Sequence, residues 1–397
     1  MVEKQKENEN IIKIDGSILE GGGQILRLSV SLSYLLNKNI DINKIRGLRN
    51  IPGLQKQHYA GLKFLEELYQ NSKFEGLNLN SSNIILFPNN NDNKLIIKNN
   101  DEKLQCKLIG AGSIGLIIQQ ILPCLLFTEN ISEKKIFLQG GTLTSFSPST
   151  LYIEEVLFKI LKKMNINCSI KTINHGLYPQ GGGKVLFNVE KMKEPIKNID
   201  VLNRGKLLNA KIRFCITQNY SFNANKLINS IFKEVKKLIR NEYQNSGNED
   251  EYKNDFVEEE IIELPKNSIT FFYQCILIYE NTIITSEYLF SEKRENNKKE
   301  TYEKIYNGAI ENTENLINNN KICFDQFTVD HLIIFMALAK GKSKISVGQI
   351  SLHTETAIHI IKTFLPNINI NILQLNKNEK YPYMENNIIE IDGIGYI

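Results

Sequence analysis

The chain has 397 residues, 42% of them hydrophobic and 23% charged, which suits one large folded domain or two of moderate size and excludes a fibrous or wholly disordered chain. A formal net charge of +4 is too small to mark a nucleic-acid binder through bulk electrostatics, so any polyanion site has to be local. No stretch supplies the roughly 18–20 uninterrupted apolar residues of a membrane helix; the best candidate, 114–127, is broken by Gln119, Gln120 and Pro123.

The opening MVEKQKENEN is polar and mixed in charge, without the apolar core of a secretory signal, so an intracellular protein is expected. Residues 11–14 (IIKI) then predict a short strand, followed by the triplet Gly21, Gly22, Gly23 and a helix over QILRLSVSLSYLLN. In that helix Ile25, Leu28, Leu32 and Leu35 repeat at spacings of three and four and can face a core, while Gln24 and Arg27 share a face at its first turn. Further helices are predicted over 54–70, 113–127 and 149–164, and strands over 136–141, 168–173 and 184–189. Alternation of this kind predicts an α/β chain of α+β layered type, with sheets covered by helices.

Between about 198 and 318 the texture changes. A strand over 211–217 precedes an amphipathic helix that Ser221 or Asn223 can cap. The polar, acidic stretch 241–256 reads as a disordered loop, and strands over 268–280 and 282–290 and a helix near 300–318 complete a small unit. The apolar helix pattern after Asp325 returns to the earlier style, so an inserted domain is the economical reading. The Asn-rich tracts 89–94 and 311–321 read as codon bias and solvated loops. Six cysteines lie far apart with no CxxC pair, against a disulfide framework or a zinc site.

The densest polar group is Glu20, Gln24, Arg27, Arg46, Arg49, Gln57 and His58, within fewer than forty residues. Backbone N–H groups at the Gly21–Gly23 turn and helix start can point at an anion, and arginines add charge-assisted bidentate bonds, so a phosphate ligand fits. A carboxylate such as Glu20 beside phosphates suggests a bridging divalent metal. The competing reading is a set of surface salt bridges at helix ends. The triplet glycine is neither GxGxxG nor GxxxxGK[ST], so the dinucleotide-fold and P-loop readings fail. Of five histidines, His353 in GQISLHTETAIHIIKTFLP stands between hydroxyls at the start of an amphipathic helix. A lone histidine is more often structural; the functional reading is a neutral imidazole nucleophile that attacks phosphorus and forms a phosphoramidate.

The blocks IDGSILEGGGQILRLSVSLS, IRGLRNIPGLQKQH, AGSIGLIIQQILPCLLF, HGLYPQGGGKV, FDQFTVDHLIIFMALAKG and SLHTETAI, in this order, resemble the RNA 3'-terminal phosphate cyclase family. The resemblance runs from about 12 to 190 and from 321 to 366, and is loose over 198–318. It implies a large domain (1–197 and 319–397) of three repeated units, each two helices on a four-stranded sheet, with a small α/β domain (198–318) inserted before the third unit. It also implies a three-step reaction: ATP adenylylates a histidine, AMP passes to an RNA 3'-phosphate, and the neighbouring 2'-hydroxyl closes a 2',3'-cyclic phosphate with release of AMP. By the family pattern His353 matches the nucleophile, and Glu20 the carboxylate associated with a divalent metal, Mg or Mn. Arg27, Arg46 and Arg49 match catalytic phosphate contacts, and Gln57 and His58 the RNA-end pocket. Gln24, Gln119, Pro148, Phe327 and Asp330, with Gly21, Gly22 and Gly23, fall where the family lines its nucleotide site.

Departures from the pattern are Phe327 for a tyrosine, Asn83 for a glutamate, Leu151 for an aspartate and His331 for a glutamine. The partners implied are ATP and RNA with a 3'-phosphate end, and no membrane; the oligomeric state is left open. The nucleus is favoured over the cytoplasm, from the Asn-rich composition and the habit of eukaryotic family members. The alternatives are a non-catalytic, cyclase-like ribosome-assembly factor, which the presence of His353 and an intact EGGGQ segment opposes, and a generic anion-binding protein, which would require His353 to lie far from Glu20 and Arg27.

Overall fold

A computed structural model describes residues 11–397 apart from 89–94, 99–103, 130–132, 218–222, 249–250, 265–268, 293–297, 320 and 377–385. The Asn-rich tract 89–94, the opening decapeptide and the alternative cap Ser221 therefore lie outside the described residues. The chain is a mixed α/β protein, and its described residues form four four-stranded sheets.

The first sheet comprises β1 (Ile12–Asp15), β2 (Ile40–Asn43), β3 (Lys73–Glu75) and β4 (Ile84–Phe87), ordered β1-β2-β4-β3. α1 (Gly23–Leu36) crosses over from β1 to the parallel β2, and α2 (Lys56–Leu68) precedes the antiparallel pair β3–β4. α1 is buried along nearly its whole length, wider than the stripe its spacing predicts, because helices pack on it from several sides. It ends at Asn37 in the left-handed conformation, a position that asparagine tolerates as a helix stop.

The second sheet has the order β5-β6-β8-β7, from β5 (Leu104–Lys107), β6 (Glu133–Gly140), β7 (Cys168–Asn174) and β8 (Gly183–Glu190). Its first helix, α3 (Ile114–Leu126), is capped by Ser113, whose Oγ accepts from Leu116 N. The predicted continuous helix over 149–164 is instead α4 (Thr150–Tyr152), a π-turn (Ile153–Leu157) and α5 (Phe158–Lys163). A π-turn widens the helix by one residue. Here it carries Glu155 to Arg213 at 3.0 Å, a long-range ion pair that local periodicity does not encode.

After the two-residue strand β9 (Asp200–Val201) comes a sheet ordered β11-β10-β12-β13, from β10 (Leu207–Ile216), β11 (Val257–Glu263), β12 (Ile269–Tyr279) and β13 (Ile283–Glu292). It is covered by α6 (Ala224–Asn245), capped by Asn223, and α7 (Lys298–Asn318). The stretch 241–256, expected to be a disordered loop, holds the last turn of α6 and a 3-10 turn (Asn254–Phe256). Its aromatics supply the reason: Tyr243, Tyr252 and Phe256 form a three-ring cluster with centroids 4.8–5.4 Å apart. Strand β11 was hidden by its acidity. Its carboxylates are neutralised across the sheet, Glu258 by Lys211 at 2.8 Å and Glu260 by Arg213 at 2.6 Å. Residues 311–318 of the second Asn-rich tract are helical, with Thr313, Leu316 and Ile317 buried.

The last sheet uses β14 (Lys340–Val347), β15 (Ile370–Asn376) and β16 (Asn386–Ile394), ordered β15-β16-β14-β9. β9 and β14 pair in parallel although the whole β10–β13 sheet separates them in sequence. α8 (Gln326–Leu338) and α9 (Leu352–Phe364) cover this sheet. The first, second and last sheets share one apolar core, and the β10–β13 sheet has its own. A small third cluster of Leu143, Leu151 and Leu177 with Cys215, Leu264 and Phe272 joins the two. The repetition of three units stays an expectation of the resemblance. All six cysteines are unpaired thiols. Among the described residues no helix is long and apolar enough to cross a membrane.

Candidate active site

The site forms where α9 packs against α1. α1 starts at Gly23 with Gly22 as its N-cap and no side-chain capping bond, so its first backbone N–H groups are open to an acceptor. Gly21 has φ +56°, the left-handed region in which glycine carries no steric penalty. Gly22 and Gly23 are small for a different reason. A Cβ on Gly22 would meet the Glu20 carboxylate and Arg49, and one on Gly23 would meet His58 and Arg27. The triplet therefore lets four polar side chains converge on the start of one helix.

α9 brings the second half. Ser351 caps it, accepting from Thr354 N at 2.9 Å, which places His353 in its first turn. His353 Nδ1 donates to Gln24 Oε1 at 2.7 Å across 329 residues of chain. The same nitrogen lies 3.8 Å from Glu20 Oε1, and Glu20 N donates to Thr356 Oγ1 at 3.3 Å. With Nδ1 committed to Gln24, a neutral His353 carries its lone pair on Nε2. The imidazole is 43% exposed, so that nitrogen can be reached by a ligand. Asp330 on α8 accepts from Ser351 Oγ at 2.9 Å and Thr354 Oγ1 at 2.7 Å, fixing the residues on either side of His353. Burial raises the Asp330 carboxyl, opposed by those two hydroxyl donors and by His353.

The cations sit opposite. Arg27 is buried and donates Nε to Gln119 Oε1 at 2.8 Å. Burial pushes its guanidinium down to about 10, partly offset by Glu20, so it is still charged near neutrality. Arg49 Nη2 donates to Glu20 Oε1 at 2.5 Å. Arg46 occupies the left-handed region at φ +54° and is lowered by burial and by Arg49. Held in such a region, a bulky side chain marks a backbone that the surrounding structure constrains. His58 is pushed down to about 3 by burial, then by Arg27 and Arg46, so its ring is neutral.

Four buried side-chain atoms around this point have no partner among the described residues: Glu20 Oε2, Gln24 Nε2, Arg46 Nε and His58 Nε2. An unpaired buried polar atom costs about 1–3 kcal/mol. Their convergence on one glycine turn fits a ligand rich in phosphate oxygens, with a hard cation beside Glu20 Oε2. Among the described residues no group of three or more metal-ligating side chains occurs.

Of the residues picked out from sequence, Glu20, Gly21, Gly22, Gly23, Gln24, Arg27, Arg46, Arg49, Gln119, His58, Asp330 and His353 come together here. Gln57 lies beside them on α2, against Gly112. Pro148 and Phe327 lie on separate neighbouring elements. The Pro148 carbonyl packs on Gly115 at the start of α3, and the half-exposed Phe327 ring stands 6.1 Å from Tyr152, two residues past the start of α4. Two departures find local reasons. Leu151 is buried in the small apolar cluster, where an aspartate would be unpaired, and Asn83 donates to Asp41 at 2.6 Å rather than facing the site. Sequence reasoning passed over Ser351, Thr354 and Thr356, although the hydroxyls flanking His353 were the available signal.

A cleft of about 390 Å³ opens beside Phe327, between β13 and α7 on one side and α8 and the start of α9 on the other. Phe327, Ser351, Asp325 and Glu287 line it. Glu287 accepts from Ser149 Oγ at 2.6 Å and from Gln274 Nε2 at 2.8 Å, yet burial pushes it up to about 7; burial likewise pushes Asp325 to about 6. Because the Glu287 carboxyl is raised in the fold, the unfolded chain ionises first. Stability is lost as pH climbs from about 4.5 through about 7. Glu287→Gln is therefore expected to match the native chain below that window and exceed it by on the order of 2–3 kcal/mol above pH 7. Thermal melts of both proteins from pH 4.5 to pH 8 check this, and a constant difference across the range would contradict it.

Residues 18–372 match the family model described as RNA 3'-terminal phosphate cyclase. A relative from Dictyostelium discoideum named "Probable RNA 3'-terminal phosphate cyclase" is 34% identical over 97% of this chain and 83% of its own. Relatives named "RNA 3'-terminal phosphate cyclase" are each 30% identical: one from Desulfurococcus amylolyticus over 98% of this chain and 99% of its own, and one from Drosophila melanogaster over 89% and 90%.

Proposed function

Since this chain belongs to the RNA 3'-terminal phosphate cyclase family, we propose that it cyclises the 3'-phosphate end of an RNA by way of AMP carried on His353. The observation that carries the reading is the 2.7 Å bond from His353 Nδ1 to Gln24 Oε1, which sets the free imidazole nitrogen beside the glycine turn and its unpaired polar atoms.

In the first step His353 Nε2 attacks the α-phosphorus of ATP. A P–N bond forms, the bond to the diphosphate breaks, and Gln24 and Glu20 accommodate the charge gained by the ring. Arg27, Arg46 and Arg49 hold phosphate oxygens, and neutral His58 contributes an uncharged hydrogen-bonding edge. The cleft lined by Phe327 offers a ring face for the adenine, and Gln119 holds Arg27 in place for the phosphates. A divalent ion at Glu20 would neutralise charge on the phosphates.

In the second step an oxygen of the RNA 3'-phosphate attacks the same phosphorus and the P–N bond breaks, returning the electron pair to His353. The anhydride so formed has AMP as a good leaving group. In the third step the vicinal 2'-hydroxyl oxygen attacks the terminal phosphorus, AMP leaves and the hydroxyl proton is lost. The hydroxyl is already tethered beside phosphorus, so orientation supplies much of the acceleration. Only RNA carries that hydroxyl.

Incubation of the full chain with ATP, Mg or Mn and a 3'-phosphorylated oligoribonucleotide is expected to yield a 2',3'-cyclic end and one AMP per end closed. A cyclic end formed equally without ATP, or none with it, refutes the proposal.

A further inference from the structure

Outside the cluster around His353, the outer face of α2 borders a groove of about 220 Å³ against β5 and the loop that follows it. Lys56, Tyr59, Lys63 and Glu67 line it from the helix, and Lys107 and Ile109 from the other side. Its volume is below the roughly 300–1,000 Å³ of a small-molecule pocket, so it reads as a strip of surface rather than an enclosed ligand site.

Charge within the strip is unequal. Lys63 is held 2.8 Å from Glu66 and 3.8 Å from Glu67, which cancels most of its field. Lys56 and Lys107 are exposed, and neither has an ion-pair partner among the described residues. Ile109 is 74% exposed at the rim, and Tyr59 is half-buried against the core. Two cations without ion-pair partners among the described residues, with an aromatic and an aliphatic surface in the same groove, match the sugar-phosphate backbone and bases of a single strand.

Both walls of the groove run on into the candidate active site. Lys56 and Tyr59 flank Gln57 and His58 on a single turn of α2, and the loop carrying Ile109 also carries Gly112, which lies against Gln57. We infer that this groove holds the RNA nucleotides preceding the 3'-phosphate end, with Lys56 and Lys107 on their phosphates. The inference rests on the RNA-end reading above and extends it from the end group to the strand behind it.

The test compares the native chain with the double variant Lys56→Ala, Lys107→Ala. Binding of a 5'-fluorescent, 3'-phosphorylated RNA decamer is followed by anisotropy, which needs no turnover. Removing two contacts to a single strand should lower the slope of log affinity against log salt by about 1.4. Between about 50 and about 200 mM salt the native chain should then lose roughly sevenfold more affinity than the variant. A 3'-phosphorylated dinucleotide should bind both proteins alike, and labelling by ATP should be unchanged in the variant. Equal salt slopes, or equal losses for decamer and dinucleotide, overturn the groove. A native chain that takes no label from ATP but shows the slope difference refutes the adenylylation chemistry and supports the groove.

Discussion

Replacing His353 by alanine is expected to abolish transfer of AMP from ATP to the protein and to lower RNA-end cyclisation by about 10⁴-fold or more, as loss of a covalent nucleophile does elsewhere. The structural grounds are specific. His353 occupies the first turn of a helix whose N-terminus is fixed independently by Ser351 and Asp330, so removing the ring leaves the helix start in place. The imidazole is 43% exposed, and among the described residues its side-chain hydrogen bond goes to Gln24. The cost to stability should therefore stay near 1 kcal/mol, the value of a typical net hydrogen bond. The separation of effects is the diagnostic: a melting temperature close to native with no adduct. An alanine variant that still forms the cyclic end at near-native rate would move the nucleophile elsewhere.

Arg27→Ala is expected to lose about 10²- to 10³-fold in the rate of self-adenylylation, the consequence of removing one preorganised donor to a transferring group. Arg27 combines three properties that neither Arg46 nor Arg49 shares. It is buried, it is oriented by a 2.8 Å bond to Gln119, and it lies against the glycine that begins α1. A charge held inside at this cost has to meet an anion when the site is filled. The variant also leaves Gln119 without its donor, so a drop of about 1–3 kcal/mol in unfolding free energy should accompany the kinetic loss. Arg27→Lys should recover the charge but not the planar fork that reaches Gln119 and a phosphate together. Single-turnover labelling with ATP, read beside chemical denaturation, separates the two losses. Native labelling by Arg27→Ala would make the residue structural.

Much of the fold was legible wherever one physical signal dominated. The apolar spacing of Ile25, Leu28, Leu32 and Leu35 and the glycines before them specify a helix and its start. Strand β11 was not legible, because a run of glutamates becomes a strand only when Lys211 and Arg213 on β10 stand opposite. The same applies to the π-turn, which an ion pair with a distant sheet accompanies.

The candidate site divides in the same way. Glu20, Gln24, Arg27, Arg46, Arg49 and His58 are close in sequence, and their residue types alone imply an anion. Nothing local to residue 353 says that it meets residue 24; only the resemblance implied it, and the packing of α9 on α1 realises it. Glu287 and Asp325 were passed over because their chemistry comes from burial in a cleft between two sheets, and burial of a carboxylate leaves no mark in its neighbours along the chain.

The most direct measurement is to expose the native chain to ATP labelled at the α-phosphate with Mg or Mn and no RNA, then digest it and locate the label by mass spectrometry. An acid-labile adduct on the peptide containing His353 is the predicted result. Label on any other residue, or a protein that stays unlabelled, would contradict a nucleotidyl-transfer centre built from α9 and the glycine turn.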